Sequence, residues 1–473
     1  MAYLEDLALL RPTFLAVLHV LIAALVTSHV LLHKRDVRAA IAWIGLSWLS
    51  PFVGSLLYTL FGVNRVERRA YKAGWRSAAS RWDGSPLPGA RSGEFAPLER
   101  AVTSITKRPT LSGNAVRPLR NGDEAYPLML ESIAQATRSV ALSSYIFFAD
   151  EAGDKFVEAL IAAKSRGVEV RVIIDGVGSG YFWSSVYNRL RQHNVPVARF
   201  MHSHLPWQMP FLNLRNHRKI LLVDGTRGFV GGLNISVHNL VDKHPPDPVR
   251  DMHFCVEGPV LEQIGEAFAS DWLFATGEEL RGAAWFPELT EVGSALARVV
   301  TSGPDQDIEK IQFVFLQAIS SAQQSIKIIT PYFLPDDRLI AALSLAAMRG
   351  VDVDVVVPEA SDHIVMDWAI RANIGPLLHA GCRIWRAPRP FEHSKMLTID
   401  GGWSLIGSAN WDVRSLRLNF EITMEVYDQA FATIISRQIE AKQGDAITLA
   451  ELNARSLPTR LRDSAVRLML PYL

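Results

Sequence analysis

Three stretches of this chain occur twice in the same order, so any fold must build one unit two times over. Ser139–Asp150 reads SVALSSYIFFAD and Ser325–Asp336 reads SIKIITPYFLPD, at an offset of 186. Each is an apolar, β-rich run that closes on aromatics and an aspartate. RGVEVRVIID (Arg166–Asp175) answers RGVDVDVVVP (Arg349–Pro358) at an offset of 183. Helix-like segments, EALIAAKS and AALSLAAM, precede these runs. Strand, helix and strand in that order predict a βαβ unit with parallel strands. NHRKILLVDGTRGFVGGLN (Asn216–Asn234) answers EHSKMLTIDGGWSLIGSAN (Glu392–Asn410) at an offset of 176. The shrinking offset implies small loop deletions in the second copy. The chain is thus read as α/β with two duplicated lobes. Such lobes commonly pack face to face, with a site between them.

The third pair carries the chemistry. Each copy contains H-x-K-x-x-x-x-D: His217, Lys219 and Asp224, then His393, Lys395 and Asp400. Average residue usage produces such a triplet roughly once in ten thousand positions, so two copies at matching places in a repeat are not chance. The Asp-Gly pairs that follow look like strand ends entering turns. On the preceding strand, residues two apart share a face, so His217 projects with Lys219 and opposite Arg218, and His393 with Lys395. The next strands end Gly231-Gly232-Leu233-Asn234 and Gly407-Ser408-Ala409-Asn410. These small residues would let a ligand approach the backbone, while Ser408, Asn234 and Asn410 can donate to an oxyanion. Taken alone, Asp224 and Asp400 are turn residues; the paired histidines and lysines do not fit a purely structural reading.

The rest of the chain bounds where this chemistry happens. Its 473 residues, 49% hydrophobic, are enough for two or three domains with real cores. A formal charge of +1 argues against a dedicated nucleic-acid binder. Two cysteines cannot make a disulfide framework or a cysteine-rich metal site. Residues 13–32 and 39–63 are uncharged and apolar. A helix of about 20 residues reaches about 30 Å, the thickness of a bilayer core, and the two runs predict a membrane hairpin. Pro51, Gly45, Gly54 and Gly62 in the second run are tolerated in membrane helices. A cleaved signal peptide fits poorly, because Glu5 and Asp6 precede the first run and a second run follows. A buried soluble hairpin is the other alternative. The basic loop after the first run and the basic flank after the second pull the orientation both ways, and the acidic start favours an external N-terminus. His19 and His29 are assigned no chemistry. His202-Ser203-His204 has metal-like spacing in a proline-rich stretch and is read as a loop. The tail, Arg460–Leu473, suits either a lipid interface or the second lobe.

The duplicated motif is the signature of the phospholipase D superfamily, which the chain resembles from about Val116 to its end. The N-terminal run ending AWIGLSWLSPFVGSLLYTLFG, together with RDMHFCVEGPV (Arg250–Val260) and NWDVRSLRLNFE (Asn410–Glu421), is similar to bacterial cardiolipin synthases. The resemblance implies a hairpin over 1–63, a linker over 64–115, and phospholipase D-like lobes over 116–290 and 291–473 with the active site between them. It implies two-step transfer through a covalent phosphohistidine, with His217 preferred as nucleophile and His393 as acid/base. Lys219 and Lys395 would stabilise charge on the phosphoryl oxygens, and Asp224 and Asp400 would orient the site. Asn234, Ser408, Asn410, Asn419 and Glu421 are expected around the substrate, Glu421 as a holder of an imidazole or as an ordinary strand carboxylate. Asp251 and His253 are aligned with Asn419 and Glu421 at an offset of 168. No metal or other cofactor is implied. The expected reaction joins two phosphatidylglycerol molecules into cardiolipin and glycerol in the bacterial inner membrane, by a multi-pass protein. A lipid hydrolase, a tethered nuclease and an inactive scaffold are the alternatives.

Overall fold

The computed structural model describes residues 2–34, 37–62, 93–202, 214–303 and 307–468. The chain divides into two compact units, Met1–Lys72 and Ala73–Leu473.

In the first unit a helix runs from Ala2 to His33. Its Thr13–His33 portion has 21 residues and a mean hydropathy of 2.3, and it alone among the described residues is long and apolar enough to cross a membrane. The second apolar run, expected as one helix over 39–63, is broken. It forms helices Val37–Leu49 and Pro51–Leu57 and a π-helical turn, Tyr58–Gly62. The break lies where proline dictates: its ring drives the preceding residue out of the α region, and Ser50 sits at φ −146°, ψ 80°. Three polar side chains of this unit find partners within it, as an apolar medium favours. His29 Nδ1 meets the Tyr58 hydroxyl at 2.7 Å, and the Trp48 indole donates to Thr27 Oγ1 at 3.1 Å. His19 Nε2 lies 3.1 Å from the Trp48 carbonyl.

The second unit is built on a 14-stranded sheet. Its first seven strands are β1 (Leu111–Arg120), β2 (Ser139–Ser144), β3 (Glu169–Asp175), β4 (Val197–Phe200), β5 (Ile220–Val223), β6 (Arg227–Gly231) and β7 (Met252–Glu257). The second seven are β8 (Ala295–Ser302), β9 (Ser325–Ile329), β10 (Asp352–Pro358), β11 (Arg383–Ala387), β12 (Met396–Ile399), β13 (Trp403–Gly407) and β14 (Glu421–Tyr427). From the middle outward the first lobe runs β1-β7-β6-β5-β2-β3-β4 and the second β8-β14-β13-β12-β9-β10-β11, the same order. β2, β3 and β4 are parallel, as are β9, β10 and β11, so the expected βαβ units are present. The aspartates that close the first repeat cap their crossover helices: Asp150 accepts from the N–H of Gly153 at 2.9 Å, and Asp336 from that of Leu339 at 3.1 Å.

The lobes do not pack sheet face on sheet face. β1 pairs antiparallel with β8, Leu111 opposite Ala297, so the two sheets are one. Each of these strands would otherwise be an edge with open N–H and C=O groups, and pairing them removes both edges. Each lobe keeps its own core, around Phe156, Leu160, Val172 and Phe229 in the first and Phe315, Leu343, Val355 and Trp411 in the second. The described part of the tail, helix Leu457–Arg467, packs on helix Ile364–Asn373 of the second lobe. Buried Asp463 takes Arg455 and Arg462, and the Arg462 guanidinium lies 4.0 Å from the Trp368 ring centre.

Asp224 and Asp400 tie each lobe together at the start of its first repeat. Both have positive φ, 54° and 50°. Asp224 accepts from the backbone N–H of Thr137, Arg138 and Ser139 at 3.0, 2.7 and 2.9 Å. Asp400 accepts from those of Gln323, Gln324 and Ser325 at 2.7, 2.8 and 2.7 Å. Asparagine tolerates the same backbone but lacks the charge and one acceptor oxygen. Asp224→Asn and Asp400→Asn should each lower unfolding stability by about 1–2 kcal/mol, read by thermal melting. Their turnover per folded molecule should fall far less than on loss of either motif histidine.

Candidate active site

The first residues of each motif do not pair within their own lobe; they pair across to the other. The His217 N–H donates to the Phe420 carbonyl at 2.9 Å, and the Phe420 N–H to the Arg215 carbonyl at 2.8 Å. The His393 N–H donates to the Arg250 carbonyl at 2.7 Å, where Phe391–Glu392 runs parallel to Val249–Arg250. The next residue along each partner strand is a buried carboxylate, which this pairing sets against the imidazole. Glu421 Oε2 lies 3.0 Å from His217 Nδ1, and Asp251 Oδ2 lies 2.7 Å from His393 Nδ1. Each histidine is thus held by a carboxylate of the opposite lobe. A carboxylate opposite Nδ1 puts the ring proton there and leaves Nε2 as the reactive nitrogen.

This geometry corrects the sequence alignment by two residues. Gly231 pairs with His253, and Gly407 with Thr423. Asp251 is therefore the counterpart of Glu421, and His253 that of Thr423. His253 Nδ1 is buried without a hydrogen bond, and burial pushes this ring down to about 4. The reading of Gly-Gly and Gly-Ser as room for a ligand is also corrected. A Cβ on Gly232 would lie 2.3 Å from Asp251 Oδ1, so this glycine admits the carboxylate. Its counterpart Ser408 donates its hydroxyl to Glu421 Oε2. Ser415, which the sequence reading missed, donates to Glu421 Oε1 at 2.7 Å, and Asn419 Nδ2 to the same oxygen at 3.2 Å.

Lys219 and Lys395 share the faces of their histidines, as the alternation requires. Lys219 Nζ donates to the His217 carbonyl at 2.8 Å, and Lys395 Nζ to that of His393. Arg218 points the other way, onto Asp271 at 2.7 Å. Burial is the main cause that lowers the lysines, Lys219 to about 7 and Lys395 to about 8, against the pull of Glu421 and Asp251. Burial also lowers both imidazoles, His217 to about 4, with each ring further lowered by both lysines. Asp224 and Asp400 stand seven residues beyond their histidines, on the order of 20 Å along an extended chain. Neither lines the cavity that the histidines share.

That cavity measures about 1060 Å³ and reaches both imidazoles. Its size is at the upper end of small-molecule sites, which run to about 1,000 Å³. Ile146, Phe148, Met366 and Phe391 give it apolar wall, and Arg215, Arg389 and Arg414 give it positive charge. Asn234, Asn410 and Asn419 line it, while Ser408 and Glu421 stand behind His217. Asn234 Oδ1 accepts from the Ile146 N–H at 3.2 Å, and the buried Asn410 Oδ1 has no hydrogen bond. His202 Nε2 contacts the Tyr181 carbonyl at 2.9 Å; Ser203 and His204 lie outside the described residues. No group of three or more His, Cys, Asp or Glu among the described residues is arranged to hold a metal ion.

Comparison with known proteins agrees with this arrangement. A family model described as "cardiolipin synthase, PLD-like domain" matches residues 129–272 and 315–442, once in each lobe. Cardiolipin synthase 1 of Bacillus anthracis is 33% identical over 98% of this chain and 94% of its own length. Cardiolipin synthase A of Pseudomonas aeruginosa is 33% identical over 93% of this chain and 91% of its own. The solved phosphatidylserine synthase of Haemophilus influenzae shares the fold, with a TM-score of 0.61 and 16% identity, and covers 80% of this chain and all of that one. Two copies of the motif, two lobes in one sheet and these matches over nearly the whole length place the chain in the phospholipase D-like family of cardiolipin synthases.

Proposed function

We propose that this protein is a phosphatidyltransferase that converts two phosphatidylglycerol molecules into cardiolipin and glycerol through a phosphohistidine. The observation that carries the reading is the pair of carboxylate-held imidazoles on one large cavity, in a chain whose relatives at 33% identity are cardiolipin synthases. His217 Nε2 attacks the donor phosphorus, and the bond from phosphorus to the glycerol oxygen breaks. His393 Nε2–H gives its proton to that oxygen. His393 then takes the proton of the acceptor's terminal hydroxyl, whose oxygen displaces His217 from phosphorus.

Two features support this division of labour. The Glu421 charge is shared among Ser408, Ser415 and Asn419, which weakens its support for an imidazolium and suits His217 as the neutral nucleophile. Asp251 makes the shorter contact, 2.7 Å, and besides His393 takes only the Met252 N–H among the described hydrogen bonds, which suits a proton-carrying His393. The lysines supply positive charge for the phosphoryl oxygens. The N-terminal apolar helix anchors the chain in a membrane, where both substrates reside. We read the kinked segment Val37–Gly62 as its return span, giving a multi-pass protein of the bacterial inner membrane.

The test is a product assay in phosphatidylglycerol vesicles with EDTA present. Equimolar cardiolipin and glycerol are expected, falling at least about 10³-fold in His217→Ala and in His393→Ala. Phosphatidic acid as sole product would make water the acceptor and the protein a hydrolase. In Asp251→Asn and Glu421→Gln, kcat should fall about 10²- to 10⁴-fold with KM little changed, because the carboxylates act through the imidazoles. The pH profile follows from the lysines. Their active form is protonated and is lost as pH rises through their lowered values. kcat/KM, which reports the free enzyme, should therefore decline above about pH 7–8, whereas kcat, measured with the anionic lipid bound, should hold to higher pH. A kcat/KM profile flat to pH 10 would contradict this role.

A further inference from the structure

The reaction proposed above brings two phosphodiesters into one cavity, and only one of them occupies the place between the histidines. We propose that Arg215 and Arg414 form a second phosphodiester site, which holds the phosphate of the acceptor lipid while its terminal hydroxyl is presented to the phosphohistidine. This assignment rests on the transferase reading and specifies where its second substrate binds.

The two arginines come from opposite lobes and are brought together by consecutive amides. The Asn419 N–H donates to the Arg414 carbonyl at 3.0 Å, and the next N–H, of Phe420, to the Arg215 carbonyl at 2.8 Å. Arg215 stands two residues before His217, and both arginines line the cavity that holds the histidines. Tyr145, whose ring packs edge-on against His217 at 4.9 Å, feels the charge of both Arg215 and Arg414. Neither guanidinium belongs to an ion pair among the described residues; Arg215 Nη1 donates to the Leu214 carbonyl at 3.0 Å.

The carboxylates nearest to them are already engaged. Asp175 accepts from the N–H of Val177, Gly178 and Asn216 at 2.9, 2.9 and 2.8 Å. Asp412 accepts from the Ser415 N–H at 2.7 Å, and burial raises it to about 7, which weakens it as a counter-charge. Burial lowers Arg414, and the charge of Arg215 lowers it further. Two half-buried cations that repel each other and make no contact ion pair among the described residues gain most from an anion that accepts from both, and planar guanidiniums fit phosphate oxygens in pairs.

The opposite wall is different. Where the fold repeats, Arg215 is answered by Phe391 and Arg414 by His238, at the same offset of 176 that relates the two motif histidines. His238 is turned to the Asp247 carbonyl at 3.0 Å. Arg389, exposed two residues before Phe391, is the cation on that wall, and the half-buried pair of arginines has no match there. That is what a site needs when one substrate leaves its phosphate on a histidine and the other keeps its own.

The test is a partition ratio measured in a single reaction. Native enzyme, Arg215→Gln and Arg414→Gln act on phosphatidylglycerol vesicles in the presence of isotopically labelled glycerol. Glycerol and the lipid then compete for the same phosphohistidine, and only the lipid brings a phosphate. The ratio of cardiolipin formed to label entering phosphatidylglycerol does not depend on how much enzyme is folded or on how fast the intermediate forms. It should fall about 10- to 100-fold in each variant. A ratio equal to the native one, even with both rates reduced, would overturn the assignment. Inorganic phosphate separates a lipid site from a site for the free ion. Millimolar phosphate should leave the native ratio unchanged; a drop to the level of the variants would assign the site to free phosphate and overturn the assignment to the acceptor. Failure of the transferase reading would show separately, as native enzyme that releases phosphatidic acid in place of cardiolipin.

Discussion

Each motif imidazole is held by a carboxylate from the lobe to which it does not belong, and the fold of the second unit is what brings each pair together. His217 leans on Glu421 across 204 positions of sequence, and His393 on Asp251 across 142. Neither contact can form unless β1 and β8 join the two sheets in register and the short cross-lobe pairings set Phe420 and Arg250 beside the motif histidines. Buried carboxylates facing no cation would be heavily disfavoured, and removing one partner of such a group leaves the other stranded. The chemistry of the site and the association of the lobes are thus one problem with one solution.

The charges also close. With both imidazoles neutral, protonated Lys219 and Lys395 balance Glu421 and Asp251, so these six buried side chains are together near neutral. A phosphodiester adds one negative charge, which a single imidazolium balances. Binding of substrate therefore favours uptake of the one proton that the leaving group requires, and the burial that lowers both lysines and both imidazoles turns to advantage once the anion enters. Asp251, with fewer donors than Glu421 and a shorter contact, makes His393 the better place for that proton.

Much of this was legible in the sequence. The repeat announced two βαβ lobes, and the paired His-x-Lys faces announced the site. The cross-lobe support was not legible, because a hydrogen bond between residues so far apart leaves no local pattern. The two-residue error in aligning Asp251 arose because β7 and β14 share few residues, and their register is set by pairing with β6 and β13. Ser415 lies on the short helix Val413–Arg417, whose counterpart Val237–Asn239 has Asn239 in its place, so the repeat did not mark it. Gly232 and Ser408 look like space for a ligand until the carboxylates occupy that space. Pro51 was visible, yet whether it bends a helix or ends it depends on neighbouring groups that sequence alone does not place.

The central claim is that His217 carries the phosphatidyl group and His393 the proton. A phosphatidyl ester of p-nitrophenol tests it directly, since nitrophenolate departs without a proton and a general acid becomes unnecessary. His393→Gln should release about one equivalent of nitrophenolate per site in a rapid burst. Peptide mass spectrometry after a mildly alkaline quench, which spares the acid-labile P–N bond, should then find the adduct on His217, and His217→Gln should give neither burst nor adduct. A burst in His217→Gln, with the adduct on His393, would contradict the assignment and reverse the two roles.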